Sequence, residues 1–223
     1  HLCDRRQRQM CIRDRIKLTE RLQAVADMVK FGSTVVDVGC DHGYIPAYLV
    51  ENKICDNVFA CDINEAPLNS CRLLVSQTIY ENKIKCILSN GLENVPKAYD
   101  TVIIAGMGGE LISDILEKSD YVKQCSLILN PMSHSETVRK WLYTNGYSID
   151  KDIIVAESKH HYNVILAHYK ATFESKSTVD YFFGEIKDFS DKAYFIHLKN
   201  YLMNKQKSGA DFSSVIKAIE DVL

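Results

Sequence analysis

Five short apolar runs in this sequence each end on residues able to do chemistry. Val35-Val36-Asp37-Val38 leads into Gly39-Cys40-Asp41-His42-Gly43, and Phe59-Ala60-Cys61 ends at Asp62-Ile63. Cys86-Ile87-Leu88 precedes Ser89-Asn90-Gly91. Val102-Ile103-Ile104 ends in Ala105-Gly106-Met107-Gly108-Gly109, and Leu127-Ile128-Leu129 precedes Asn130-Pro131. The first loop has the form D-x-G-x-x-x-G. It is not the G-x-G-x-x-G fingerprint, whose glycines bring a pyrophosphate onto a helix start. A sulfonium methyl donor carries no pyrophosphate and needs only close backbone approach at its amino-acid end. Gly39 allows that approach, because a Cβ there would intrude. Asp62 lies 25 residues beyond Asp37, where an acid can hold both hydroxyls of a ribose, a position shared with nicotinamide enzymes. Asn90-Gly91 can hydrogen-bond an adenine edge. Asp37, inside its run, either orients the loop or meets the ligand. The candidate cofactor cradle is therefore Asp37, Gly39, Cys40, Gly43, Asp62, Ile63, Asn90, Gly91, Ala105 and Gly106.

The elements that must position these residues follow from periodicity. Leu18, Leu22, Val25, Ala26 and Val29 recur at three- and four-residue steps, which predicts a helix over 17–29 stopped by Gly32. Strands are predicted at 34–38, 57–61, 84–88, 101–105 and 126–129. Helices are predicted at 44–50, 65–80 (with Pro67 tolerated in the first turn), 110–117 and 135–143, the last capped by Gly146. Short apolar strands alternating with helices imply an α/β fold, a parallel sheet covered on both faces. Such sheets bind ligands outside the carboxyl ends of their strands, which is where the chemical residues fall. Runs at 148–155 and 162–169 predict an antiparallel hairpin closing the sheet. From 178 to 223 the pattern is helical with a break near Ser208-Gly209, a candidate helical hairpin. Its Lys192 and Lys199 share a face, with Lys205 and Lys207 a turn further. The expected domains are a leader over 1–15, a catalytic domain over 16–172 and the helical hairpin over 173–223.

Composition bounds the rest. The chain has 223 residues, 46% of them hydrophobic and 25% charged, with ten glycines and four prolines. These are globular values that exclude collagen-like or linker-rich chains. No apolar run approaches the roughly 18 residues of a membrane span. Net charge is −2, but residues 1–15 hold five of the eight arginines and two aspartates, so the remainder stands at −5. That leader reads as foreign to the fold rather than as a basic arm. Eight cysteines form no C-x-x-C and no zinc spacing, so they read as buried thiols of a reducing cytosol, with no metal.

The motifs also carry a resemblance. Leu18-Thr19-Glu20-Arg21-Leu22, Asp37-Val38-Gly39-Cys40-Asp41-His42-Gly43-Tyr44-Ile45-Pro46, Ser89-Asn90-Gly91-Leu92, Ile104-Ala105-Gly106-Met107-Gly108-Gly109, and Asn130-Pro131 followed by Arg139-Lys140-Trp141-Leu142 appear in that order. The chain resembles the bacterial tRNA (adenine-N1)-methyltransferases that modify adenine 22 of the D-arm, closely to Tyr169 and loosely beyond. The resemblance implies a Rossmann-like class I methyltransferase domain with a small C-terminal helical, coiled-coil hairpin domain. It also implies S-adenosyl-L-methionine as cofactor and tRNA as partner, in a cytoplasmic monomer. Asn90 stands where the family usually has an acid, Asp62 where it often has glutamate, and His160 where many members have lysine; Tyr162 matches.

Adenine N1 is a neutral, weakly basic nitrogen on the pairing edge, so the base must leave its stack to react. Placement in line with the methyl matters more than a strong base. The product ring is cationic, so a carboxylate or carbonyl aimed at N1 or N6 stabilises the transition state. The Gly106–Gly109 loop replaces the aromatic amine clamp of many amino-group methyltransferases. The candidate catalytic residues are Asp41, His42, Met107 and Asn130, with His134 at a helix start; the candidate RNA contacts are Arg21, Lys192, Lys199, Lys205 and Lys207. Trp141 reads as core. The competing readings are a methyltransferase of another RNA or of a small molecule, and a non-catalytic RNA-binding relative. A nicotinamide reductase is disfavoured by the missing glycine fingerprint.

Overall fold

Val35, Val36, Asp37 and Val38 are all buried, so the strand they form is shielded on both faces, as parallel strands are. The computed structural model describes residues 16–76, 78 and 81–223; the predicted leader and Cys3 and Cys11 lie outside them. Its seven strands run in the order β3-β2-β1-β4-β5-β7-β6. The chain divides between Ile103 and Ile104 into two compact units.

In the first unit, β1 (Thr34–Val38), β2 (Asn57–Asp62) and β3 (Ile84–Leu88) pair in parallel. The register sets Val38 opposite Cys61 and Asp62 opposite Leu88. The strands therefore end level, and their three following loops leave along one edge. The helices are α1 (Glu20–Ala26), α2 (Tyr44–Glu51) and α3 (Glu65–Ser76). α1 is shorter than its periodicity predicts. Met28 and Val29 are buried by a tight turn instead, their amides bonding back three residues to Val25 and Ala26. The predicted extension of α3 beyond Ser76 falls partly outside the described residues.

In the second unit, β4 (Thr101–Gly108, which begins in the first) is followed by α4 (Gly109–Glu117), β5 (Ser126–Ser133) and α5 (Ser135–Thr144). Both strands outrun the sequence reading. Gly106-Met107-Gly108 and Asn130-Pro131 are strand residues, not loops that follow one. The expected hairpin is β6 (Tyr147–Glu157) and β7 (His160–Tyr169). β7 lies inside, antiparallel to β5, and β6 forms the edge. A bulge at Asp150 interrupts the β6–β7 register between Ile149 and Lys151. It turns Asp150 onto Nδ1 of His168, whose Nε2 hydrogen-bonds Ser126 Oγ at 2.7 Å.

The C-terminal segment is three helices, not one interrupted run. They are α6 (Thr178–Phe183), α7 (Lys192–Gln206) and α8 (Ser213–Val222). A Ser177/Asp180 capping box starts α6, and Gly184 ends it with φ +59°. α7 and α8 form an antiparallel pair across the predicted Ser208-Gly209 break. Phe182, Ile186, Phe195, Leu202, Val215 and Ile219 make a small core among the three helices.

Arg139 of α5 ties this segment down. Its side chain is fully buried. Nε and Nη2 donate to the two carboxylate oxygens of Asp152 on β6, at 2.7 and 3.1 Å. Nη1 donates to the carbonyls of Phe182 and Tyr181 at the end of α6, at 2.9 and 3.2 Å. A Cβ on Gly184 would stand 2.1 Å from Asp152 Oδ2 and 2.3 Å from Arg139 Nε, so glycine is required there. Removing one member of such a pair strands a buried charge. Arg139→Met is expected to destabilise the protein by about 3–5 kcal/mol, and adding Asp152→Leu to recover much of that loss. Denaturant unfolding of the two variants beside wild type measures both effects.

Candidate functional site

Gly39, Asp41 and Gly43 all adopt left-handed backbone, with φ of +73°, +48° and +76°. Three such residues within five reverse the chain tightly between β1 and α2. The amides of Gly39 and Cys40 both donate to Cys61 O of β2, at 2.8 and 3.0 Å, and Gly43 N closes the turn onto Cys40 O at 2.7 Å. Gly43 also rests on α3: a Cβ there would lie 2.4 Å from Cys71 Sγ. The loop is thus built from glycines at its ends and fixed from below, which keeps its backbone close to the strand ends.

Two carboxyls face this loop from neighbouring strands. Asp37 is 3% exposed and Asp62 8%. Asp62 Oδ1 accepts from Asn64 N at 2.8 Å, which fixes the head of the side chain, and Ser89 N donates to Asp62 O. Burial pushes the Asp37 carboxyl up to about 7, and repulsion from Asp62 adds to the rise; no cation contributes. Such a pair fits a ligand that brings positive charge and hydroxyl donors. Ile63 is 61% exposed beside it. Gly91 has φ +57°, and Cys61 Sγ donates to Gly91 O at 3.5 Å. Asn90 is exposed and its amide donates to Glu93 Oε1 at 2.8 Å. Asp37, Gly39, Cys40, Gly43, Asp62, Ile63, Asn90 and Gly91 all lie on the carboxyl edge of the first unit.

The cysteines here are packing groups. Burial pushes the Cys61 thiol up to about 12, with Asp37 and Asp62 adding to the effect. The Cys71 thiol, hydrogen-bonded with Cys40 and 3.5 Å from Cys86 Sγ, is also pushed up to about 12 by that hydrogen bond and by burial. None is a thiolate at neutral pH. Among the described residues, no group of three or more His, Cys, Asp or Glu is placed to hold a metal.

Asp41 and His42 sit at the crest of the loop, their side chains 70% and 53% exposed and 3.7 Å apart. The His42 ring lies 5.7 Å from that of Tyr44. A shallow cavity of about 270 Å³ opens beside them, lined by His42, Tyr44, Ser70, Leu73 and Leu74. Arg21 is half-buried in the first turn of α1.

In the second unit, Ala105, Gly106 and Met107 end β4. A Cβ on Gly106 (φ +88°) would meet nothing within 4 Å, whereas one on Gly109 would stand 2.1 Å from His134 O. The glycine run is therefore open at one end and packed at the other, not open throughout. Asn130 is fully buried in β5 and its Nδ2 donates to Asn163 O at 2.8 Å. That bond ties its side chain to β7. His134 is the N-cap of α5 in left-handed conformation, φ +55°. Trp141, expected in the core, is only half-buried and donates to Glu117 Oε2 at 2.7 Å. The α7 lysines all hold partners. Lys192 meets Val222 O, Lys199 pairs with Glu220 at 2.6 Å, Lys205 lies over Tyr201, and Lys207 donates to Asn204 at 3.0 Å. Sequence reasoning missed Arg139 as a buried anchor and the contribution of Asn163; neither has a periodic signal.

Residues 18–165 match the model of a methyltransferase domain. A tRNA (adenine(22)-N(1))-methyltransferase of Bacillus subtilis is 36% identical over 155 residues, which cover 68% of this chain and 65% of that relative. The crystal structure of the B. subtilis M1A22 tRNA methyltransferase TrmK superposes with a TM-score of 0.75 at 26% identity, covering 93% of this chain and 94% of that one. M. capricolum TrmK, solved with the cofactor product S-adenosyl-homocysteine, gives 0.76 at 25% identity, covering 92% and 93%. The chain belongs to the methyltransferase-domain family, as a class I member similar to the tRNA (adenine(22)-N(1))-methyltransferases.

Proposed function

We propose that this protein transfers a methyl group from S-adenosyl-L-methionine to N1 of an adenine in tRNA, at position 22 of the D-arm. The observation that carries this reading is the level edge of the first unit. There a left-handed glycine, Gly39, lies beside two buried carboxyls, Asp37 and Asp62, on adjacent parallel strands. The similarity to the B. subtilis enzyme supports the choice of substrate.

The cofactor supplies an electrophilic methyl on a sulfonium, together with an ammonium, a carboxylate, a ribose diol and an adenine. Gly39 admits the amino-acid end against the backbone. Asp37 offsets its positive charge through the cradle. Asp62 accepts both ribose hydroxyls, and Ile63 with Asn90-Gly91 bounds the adenine. Asp41, at the crest of the loop, attracts the N6 amino group of the target base and offsets the charge that builds on the ring as N1 is methylated. His42 and Tyr44 supply a ring surface beside it. No strong base is needed, because N1 attacks through a lone pair that carries no proton.

Incubating the protein with unmodified tRNA and methyl-labelled cofactor, followed by nucleoside analysis, tests the reading. The expected product is 1-methyladenosine; label in another nucleoside, or none, refutes it.

Gly39→Val should abolish cofactor binding, since a branched side chain enters the cradle. Asp62→Ala should weaken it by about 1.5–3 kcal/mol, the scale of charge-assisted hydrogen bonds. Titration calorimetry reads both, and unchanged affinities would remove the cradle from the argument.

Cofactor binding should also release a proton. Asp37 titrates at about 7, and a cationic ligand favours its ionised form. Raising the pH from 6 to 8 therefore raises affinity until the carboxyl is ionised without help, after which the curve is flat. Below pH 6 the ligand must also displace the proton, so binding weakens. Asp37→Asn should flatten the profile. Calorimetry in buffers of different ionisation enthalpy counts the released proton directly.

Asp41 is well exposed, so water screens it until substrate covers the loop. Asp41→Asn is expected to keep cofactor affinity and to lower kcat by about ten- to a hundredfold. Single-turnover methylation of tRNA measures this, and a change under threefold returns Asp41 to a loop-shaping role.

A further inference from the structure

The β6–β7 hairpin reaches well past the part of β7 that pairs with β5. That pairing runs from Ser126 opposite His168 to Leu129 opposite Ile165. Beyond it, His160–Val164 pairs only with β6, up to Glu157 opposite His160. One side-chain bond, from Asn130 Nδ2 to Asn163 O, continues the link to β5. The free end of the hairpin therefore stands at the carboxyl end of β5, the end at which parallel α/β sheets meet their ligands.

The connection is the two-residue turn Ser158-Lys159, with Ser158 at φ +57°. Hairpin turns that demand left-handed backbone are normally filled by glycine or asparagine. A serine there carries backbone strain, and strain kept in an exposed turn points to use. The two faces of the tip differ. His161 and Asn163 point to the C-terminal helices: His161 lies 3.2 Å from Asp191, and Asn163 Oδ1 accepts from Tyr194 Oη at 3.2 Å. Alternation sends His160 and Tyr162 to the other face, their ring centroids 6.3 Å apart. His160 and Lys159 are exposed. His161 and Asn163 are thus tied to the C-terminal helices, while His160 and Lys159 stand exposed beside the half-buried Tyr162 ring.

Aromatic rings beside a basic side chain are what unstacked nucleotides need: a π-face for the base and a cation for the phosphate. We propose that Lys159, His160 and Tyr162 form a contact for unpaired nucleotides of the tRNA substrate. The rings stack on a base and Lys159 meets a backbone phosphate. The assignment rests on the tRNA reading above and adds to it a surface outside the cofactor edge.

The test uses the full chain with Lys159→Ala, His160→Ala, Tyr162→Leu and Tyr162→Phe, and measures tRNA affinity by fluorescence anisotropy at several salt concentrations. Lys159→Ala should weaken binding about three- to tenfold and reduce the salt slope by roughly 0.7–0.9, the signature of one lost phosphate contact. His160→Ala and Tyr162→Leu should each cost roughly ten- to a hundredfold with little change of slope, and Tyr162→Phe should bind nearly as wild type. Cofactor affinity and melting temperature should stay unchanged in all four, which separates lost contact from lost fold. If wild type methylates tRNA and Lys159→Ala and His160→Ala bind it undiminished, the hairpin assignment alone is overturned. If wild type neither binds nor methylates tRNA, both readings fall together.

Discussion

A guanidinium with no access to water dictates how the second half of the chain is arranged. Arg139 has to find acceptors for its donors inside the protein, and it finds them on its own helix and on two other elements, β6 and α6. Asp152 supplies charge from β6, Ser135 a hydroxyl within α5, and the last turn of α6 its otherwise orphaned carbonyls. A helix C-terminus with unmet carbonyls and a buried cation solve one another's problem. Gly184 follows at once because no side chain fits between the partners. The C-terminal helices are therefore attached through polar chemistry at one point and through a small aromatic-rich core around it. That arrangement fixes orientation more than it adds net stability, since the cost of dehydrating the charges offsets much of their attraction.

How much of this was legible in the sequence depends on which physical signal each element carries. The strands of the first unit are shielded on both faces and show as unbroken apolar runs, so β1, β2 and β3 and the residues after them are placed well by reading alone. Gly39 and Gly43 were legible because only glycine combines a left-handed turn with close packing. Extended segments that continue past their apolar run leave no such mark. β4 continues through Gly106-Met107-Gly108 and β5 through Asn130-Pro131-Met132, beyond the apolar residues that mark each strand. Within that extension Asn130 is buried and its side chain is tied to Asn163 of β7. Arg139 stood in a recognised motif, yet its burial depends on Asp152, thirteen residues away on another element, a pairing with no local signature. The break at 184–191 does carry local signals, Gly184 at the end of one helix and Asp191 capping the next, and Trp141 was misread because an indole can lie along a surface when its N–H finds a carboxylate.

The charge distribution follows the same logic. Lysines seven apart on a helix look like a basic stripe, but the facing helix answers two of them, Lys199 with a carboxylate and Lys192 with a terminal carbonyl. A helix pair stapled in this way presents less positive field than its composition suggests. Lys159 and His160 of the β6–β7 turn are exposed. In a molecule whose described part is net acidic, short-range contacts of this kind, rather than a broad attractive field, must hold a polyanion in register.

The bulge at Asp150 has a consequence beyond aiming a carboxylate at His168. β6 is eleven residues long and forms the outer strand of the sheet, the kind of element that invites a second chain to add itself in cross-β fashion. An extra residue in mid-strand breaks the even spacing that an incoming strand would have to match, and it does so where Asp150 and Lys151 place opposite charges side by side. Any would-be neighbour meets a kink and a salt-dependent barrier at the same spot, so the edge is guarded against fibre-like growth.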